Sequence, residues 1–221
     1  MYSPDFPDGT WHLTGSQREH LTDALVQLIE AEQAARFIRC FAHVVVPGML
    51  QIPEYTKAVL GFLGVSGPRE CATLTIRQAR RSHLLSRTDA VECRVLLDGS
   101  LLEREIGGPA LMAAQLQSIV ENVVRTPLLQ VRILPCPLAD MAVAGAFILV
   151  DGPHEQDTVL YREDTGTDAI IRSVEEVARN RVRFDAGWDR ALDDEESVHL
   201  LHERISLLTD GAHGGGLEQI M

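Results

Sequence analysis

Residues 29–60, IEAEQAARFIRCFAHVVVPGMLQIPEYTKAVL, decide the fold: an apolar periodic run, a Pro-Gly corner and a second, shorter periodic run. Reading outward from it, Leu21, Leu25, Leu28, Ile29, Ala35, Ile38 and Phe41 recur at three- and four-residue steps. That spacing predicts one amphipathic helix from Gln17 to about His43. Pro47 and Gly48 end it, because proline disfavours helical geometry in the residue before it and glycine permits the sharp turn. Pro53 tolerates the first position of a short second helix, which Gly64 closes.

Downstream, Gly67-Pro68 opens a third helix to about Ser86. Val91, Cys93, Val95 and Leu97 then alternate with Glu92 and Arg94 in the period-two pattern of a strand. Asp98-Gly99 makes a turn, and Ser100 with Glu103 three residues on offers a capping box. A helix from Pro109 to about Arg125 carries Met112, Leu116, Ile119, Val120 and Val123, and leads into an alternating strand over Leu129–Leu134. Ala146–Asp151 and Thr158–Tyr161 read as two antiparallel strands joined through Gly152-Pro153. Thr167 can cap a helix carrying Ile170, Ile171, Val174, Val177 and Arg181, and Asp193 with Glu196 can cap another carrying Val198, Leu201, Ile205 and Leu208. The expected class is α+β: an N-terminal helical segment packed on a small, mostly antiparallel four-stranded sheet covered by helices. The expected divisions are an aromatic arm (1–16), a helical subdomain (17–88), an α+β subdomain (89–210) and a flexible tail (211–221).

With 221 residues, 45% of them hydrophobic and 24% charged, the chain can bury one core or two closely apposed ones. Cys40, Cys71, Cys93 and Cys136 are spread through apolar segments without a CxxC pair, the pattern of buried thiols in a reducing cytosol. The opening MYSPDFPDGTWHLTG has neither a basic region nor an apolar core of a leader, and no eighteen apolar residues run together. A cytoplasmic protein that spans no membrane is expected. A formal charge of −12 repels the phosphate backbone, so direct nucleic-acid binding is not expected. Arg77, Arg80 and Arg81 in RQARR fan around a helix and read as a solvated face. Tyr2, Phe6 and Trp11 in the arm could each bury on the order of 150 to 250 Å². The arm is therefore expected to dock on its own domain or on a second copy, which would make a homodimer.

No nucleophile elbow, phosphate loop, dinucleotide fingerprint or HExxH is present. Glu196, His199, His202 and Glu203 share a helix face, but a solvated helix with acids in its first turn accounts for them, so no metal and no cofactor are expected. Arg36 and Arg39 precede the Pro-Gly corner and Gln51 and Tyr55 follow it. Guanidinium, amide and phenol in one cleft would suit a small polar or anionic ligand. In the other reading, Arg36 or Arg39 pairs with Glu32 or Asp98 and ties the two segments together. Glu163, Asp164 and Asp98 fall at strand ends, where solvated acids also sit.

The stretch 29–60 resembles a domain of unknown function from actinobacterial antitoxin-like regulators, where it follows an Xre-type helix-turn-helix. Ile38-Arg39, Val46-Pro47-Gly48-Met49-Leu50-Gln51 and Tyr55 carry the likeness. Arg77-Gln78, Val95-Leu96-Leu97-Asp98, Leu101-Leu102, Gly107-Gly108, Ile133-Leu134-Pro135, Phe147–Leu149 and Val159–Tyr161 extend it over roughly residues 25–208. The resemblance adds Arg77, Asp98 and Tyr161 to Arg36, Arg39, Gln51 and Tyr55 as candidate ligand-binding residues. It implies a ligand- or protein-partner-binding regulatory domain. The alternative is a cofactor-independent enzyme of small-molecule, natural-product biosynthesis built on the same pocket. About sixteen residues precede the first helix, too few for a three-helix DNA reader, so none is expected. Ile52 stands where the family has threonine, Gly99 where glutamate is common and Met141 near a frequent histidine.

Overall fold

The computed structural model describes residues 13–86, 91–135, 141, 143, 145–164 and 167–214. Its helices are α1 (Gly15–Arg18), α2 (Asp23–Gln33), α3 (Pro53–Phe62), α4 (Pro68–Ser86), α5 (Pro109–Arg125), α6 (Val174–Arg190) and α7 (Asp194–Gly214). Its strands are β1 (Phe37–Ala42), β2 (Glu92–Asp98), β3 (Leu129–Leu134), β4 (Phe147–Asp151), β5 (Val159–Asp164) and β6 (Thr167–Ile171). They form one mixed sheet in the order β3-β2-β1-β4-β5-β6. β1, β2 and β3 run parallel, with Cys40 beside Val95 and Val95 beside Val131; β4, β5 and β6 follow antiparallel, with Arg39 beside Leu149 and Tyr161 beside Ile170.

Side chains alternate across a strand, and β1 shows what each face buries. Ile38, Cys40 and Ala42 enter the larger core with Leu28 of α2, Tyr55 and Val59 of α3, Met112 and Leu116 of α5, and Leu201 and Leu208 of α7. Phe41 enters the other core with Leu96, Phe147, Leu149 and the α6 residues Val177, Phe184 and Trp188. Gly187 lets α6 come close: a Cβ there would stand 2.9 Å from Leu96 Cδ2.

The helix predicted over residues 17–43 is the main correction. It divides into α1, α2 and β1, so the segment 17–88 supplies the central strand of the sheet. A strand buried on both faces reads as a continuous apolar run, so Ile38 and Phe41, which face opposite cores in β1, match the three-residue step of a helix from sequence. The second correction lies at Thr167, which begins β6 instead of a helix; Ser173 caps α6, its hydroxyl accepting from Glu176 N. The sheet therefore has six strands in mixed orientation rather than four mostly antiparallel ones. At the turn after β2, Asp98 is the cap: its carboxylate accepts from Ser100 N at 2.8 Å.

Cys40 and Cys93 are buried as expected but Cys71 is exposed, and α7 runs to Gly214, into the stretch expected as a tail. Several local expectations hold. Pro53 stands in the first turn of α3, α4 and α5 take the predicted bounds, and Asp193 and Glu196 exchange capping bonds of 2.8 and 3.0 Å. The aromatic arm with Tyr2, Phe6 and Trp11, Cys136 and residues 215–221 lie outside the described residues. Among the described residues no helix is long and apolar enough to cross a membrane.

Candidate functional site

The Pro47-Gly48 corner folds α3 back under β1, and its polar groups are bonded inward. Val46 N donates to the Tyr55 hydroxyl at 3.3 Å, and Gln51 Nε2 donates to Val46 O at 2.7 Å. Gln51 Oε1 accepts from Thr56 Oγ1 at 3.0 Å and from Arg77 Nη1 at 2.6 Å. Arg77 lies along Gly48, whose missing Cβ would stand 3.6 Å from its Nε. One α-helical turn beyond Ile76, Arg80 makes a two-pronged bond to Glu32 of α2, at 3.0 and 2.7 Å, with both residues buried. From the other side Gln115 of α5 bridges the corner, accepting from Ile52 N and donating to Leu50 O, each at 2.9 Å.

Tyr161 of β5 faces the same layer. Burial pushes its phenol up, and the carboxylates of Glu163 and Asp168 push in the same direction. Burial pulls the Arg77 guanidinium down, while Glu163, Tyr161 and Asp168 counter it. For Arg80 burial acts downward too, but Glu32 outweighs it and the net direction is up. Burial also raises the Tyr55 phenol. The constellation is thus an interlocked set of charges and amides; the enclosed cavity beside it, lined by Ile29, Glu32, Met49, Arg80, His83 and Leu84, measures about 10 Å³, room for about one water.

The seven residues predicted from sequence separate into groups. Gln51, Tyr55 and Arg77 come together, and Tyr161 stands within their electrostatic reach. Arg39 projects from the opposite face of the sheet, where it pairs with Asp151 and Asp185 and stacks 3.8 Å over the Phe37 ring. The sheet itself stands between Arg39 and Gln51, so one cleft cannot hold both. Arg36 is exposed and serves through its backbone, donating to Asp151 O and accepting from Glu92 N. Asp98 is the buried turn cap.

Neither proposed Glu32 nor Asp98 pairing forms at Arg36 or Arg39, and the RQARR helix face is not solvated: Arg80 is buried on Glu32 and Arg81 donates to Ser118 at 2.8 Å. The signal was present in the spacing. Ile76, Ala79 and Arg80 form a buried stripe on α4, and Leu28, Ile29 and Glu32 form one on α2. A charge that falls inside each stripe marks a buried pair. In the Glu196, His199, His202, Glu203 quartet, Glu196 is spent on the cap and His199 meets Glu203 at 3.2 Å. Among the described residues no group of His, Cys, Asp and Glu is placed to hold a metal ion.

The sequence profile of a family described as a domain of unknown function, DUF5753, matches residues 25–203. The chain belongs to this family. No curated protein and no solved structure matches it. The match begins in α2 and ends in α7, so the DUF5753 unit takes in the whole sheet and the Gln51–Arg77 corner together.

A second concavity of the DUF5753 unit has the size of a ligand site. It is an open groove of about 370 Å³ between α2 and the β4–β5 turn, with Ala31, Ala34 and Pro153 as apolar wall and Glu30, Asp157 and Arg172 at its rim. Gly152 shapes this turn, because a Cβ on it would stand 2.5 Å from Asp157 Cβ. None of the seven residues predicted from sequence lines the groove.

Proposed function

We propose that this DUF5753 chain is a partner- or ligand-binding regulatory domain, and that its recognition surface is the open groove between α2 and the β4–β5 turn. One observation carries the reading: the groove offers about 370 Å³, within the roughly 300–1,000 Å³ of ligand sites, while the small cavity beside the polar corner, against Glu32 and Arg80, offers about 10 Å³. Gln51, Tyr55 and Arg77 serve in this reading as the frame that fixes α3 and α4 on the sheet. The rim carries two carboxylates, Glu30 and Asp157, against one guanidinium, Arg172. With a chain charge of −12, such a rim favours a polar or basic segment over an anionic molecule. The regulatory role follows the antitoxin-like regulators that the sequence resembles.

Photo-crosslinking of the full chain in its native cells tests this. A benzoylphenylalanine in place of the exposed Ala34, in the groove, is compared with one in place of the exposed Val182 on α6. The expected result is an adduct formed from position 34, absent from position 182, and lost when Asp157→Arg reverses a rim charge. The same adducts from both positions, or none from position 34, would refute the groove as the recognition surface.

A further inference from the structure

The two edges of the sheet are treated differently. At β3, the chain's own residues take the outward groups of Ile133: its N–H donates to Ser197 Oγ at 3.0 Å, and its carbonyl accepts from Leu192 N at 2.9 Å. At the other edge β6 pairs with β5 alone, and no backbone hydrogen bond joins it to any other described residue. An open edge is a template for a further strand, which proteins ordinarily blunt with proline, lysine or a covering element. Thr167-Asp168-Ala169-Ile170-Ile171 has neither residue, and its Ala169 is exposed.

We propose that β6 pairs antiparallel with β6 of a second copy of this chain, so that the two sheets run on as one across a two-fold axis.

The choice of a second copy rests on charge complementarity between Asp168 of the strand and Arg172, the residue just past its end. A two-fold pairing is isologous, so β6 must complement its own reverse. Asp168, Ile170 and Arg172 fall on one face by the two-residue period. With Ile170 opposite the partner's Ile170, Asp168 meets the partner's Arg172, and Arg172 meets the partner's Asp168. Among registers that keep each face of the sheet continuous, centring on Ala169 sets Asp168 against isoleucine. Centring on Ile171 sets Arg172 against isoleucine. Only the Ile170 register opposes the charges, and like or unmatched pairs directly across a ladder are unfavourable.

Both charges can reach across. Arg172 is exposed, with a 3.4 Å contact to Gln27. Asp168 accepts from Thr22 Oγ1 at 2.6 Å and from the Tyr161 phenol, and a carboxylate has about four lone-pair sites, so it keeps room for a third donor.

Sedimentation velocity on the full chain at physiological salt, from micromolar to submillimolar concentration, reads the association. The wild type should be a dimer that dissociates on dilution. R172D should weaken it about 10- to 100-fold, since two opposite-charge pairs become two like-charge ones. D168R and R172D mixed should form a mixed dimer that neither forms alone, because both positions are again opposed in sign. Asp168 also bonds Thr22, so amide exchange of the wild type supplies a test without that variant: protection at Ala169–Ile171 should rise with concentration. A wild type monomeric throughout, a dimer indifferent to R172D, or β6 protection independent of concentration would each overturn the pairing. The pairing shares Arg172 with the groove's rim but not the groove's occupant: Ala34→Trp fills the groove from α2, keeps Asp168 and Arg172 unchanged, and should leave the dimer intact.

Discussion

Removing either member of the Glu32–Arg80 pair leaves the other charge in the core, with side-chain exposures of 11% and 8%. Breaking such a pair typically costs about 3–5 kcal/mol, whereas replacing both partners by apolar residues of similar size is often neutral or stabilising. Glu32→Leu and Arg80→Met should therefore each lower stability by several kcal/mol, and the two together should recover most of it. Urea unfolding of the three variants decides; additive losses in the double variant would show that the pair is not coupled. The thiols make a second residue-scale case. Burial pushes Cys93 from 9.0 up to about 12. A thiol raised in the folded state leaves the unfolded chain to ionise first, so the stability it contributes is full below pH 9.0 and is lost as pH rises toward about 12. Cys93→Val should flatten that alkaline loss in urea midpoints, and an unchanged slope would remove Cys93 as its cause. Residue types near the Pro-Gly corner were legible in the sequence, and Gln51, Tyr55 and Arg77 do meet there. Gln115, which bridges the corner through Ile52 N and Leu50 O, was not, because a hydrogen-bond partner 63 residues away leaves no local pattern.

At the scale of elements, the sequence specifies those with their own punctuation. α3, α4 and α5 begin at Pro53, Pro68 and Pro109, and β2 to β5 have turn residues on both sides. β1 and β6 lacked it. Ala34-Ala35-Arg36 between α2 and β1 contains no glycine or proline to mark the switch, and neither does Arg172-Ser173 between β6 and α6. Tertiary pairing decides both, β1 through ladders on each side and β6 through β5. The packing of α3 against α5 likewise depends on one side chain. Gln115 is fully buried and satisfies both Ile52 N and Leu50 O. Gln115→Leu keeps the volume and orphans both groups, at about 1–3 kcal/mol for each. A loss of roughly 2–6 kcal/mol in urea unfolding is expected, by the same principle of unpaired buried backbone. A loss below about 1 kcal/mol, the net worth of an ordinary hydrogen bond, would mean that the corner finds other partners.

For the whole molecule, the sheet order ranks the strands by how much must open to expose each. β1 lies between β2 and β4 with cores on both faces, and among the described residues α6 and Met141 cover the second face. Opening β1 breaks two ladders and separates both layers, so its amides should exchange only with global unfolding, while an edge strand opens with a smaller unit. Native-state exchange on dilute protein should place Ile38–Phe41 of β1 slowest, Val95–Leu97 of β2 close to it, and Ala169–Ile171 of β6 fastest among the strands. The opposing influence is charge: at −12 the folded chain repels itself, and added salt screens this while weakening surface pairs such as Arg18–Glu30. Exposed pairs are worth about 0–1 kcal/mol each, so screening of the net charge should win and the slowest amides should slow further as salt rises. If exchange in β1 instead quickened with salt, exposed ion pairs would outweigh self-repulsion. If β6 in dilute protein matched β1, the sheet would open as a single unit and its order would not set the ranking.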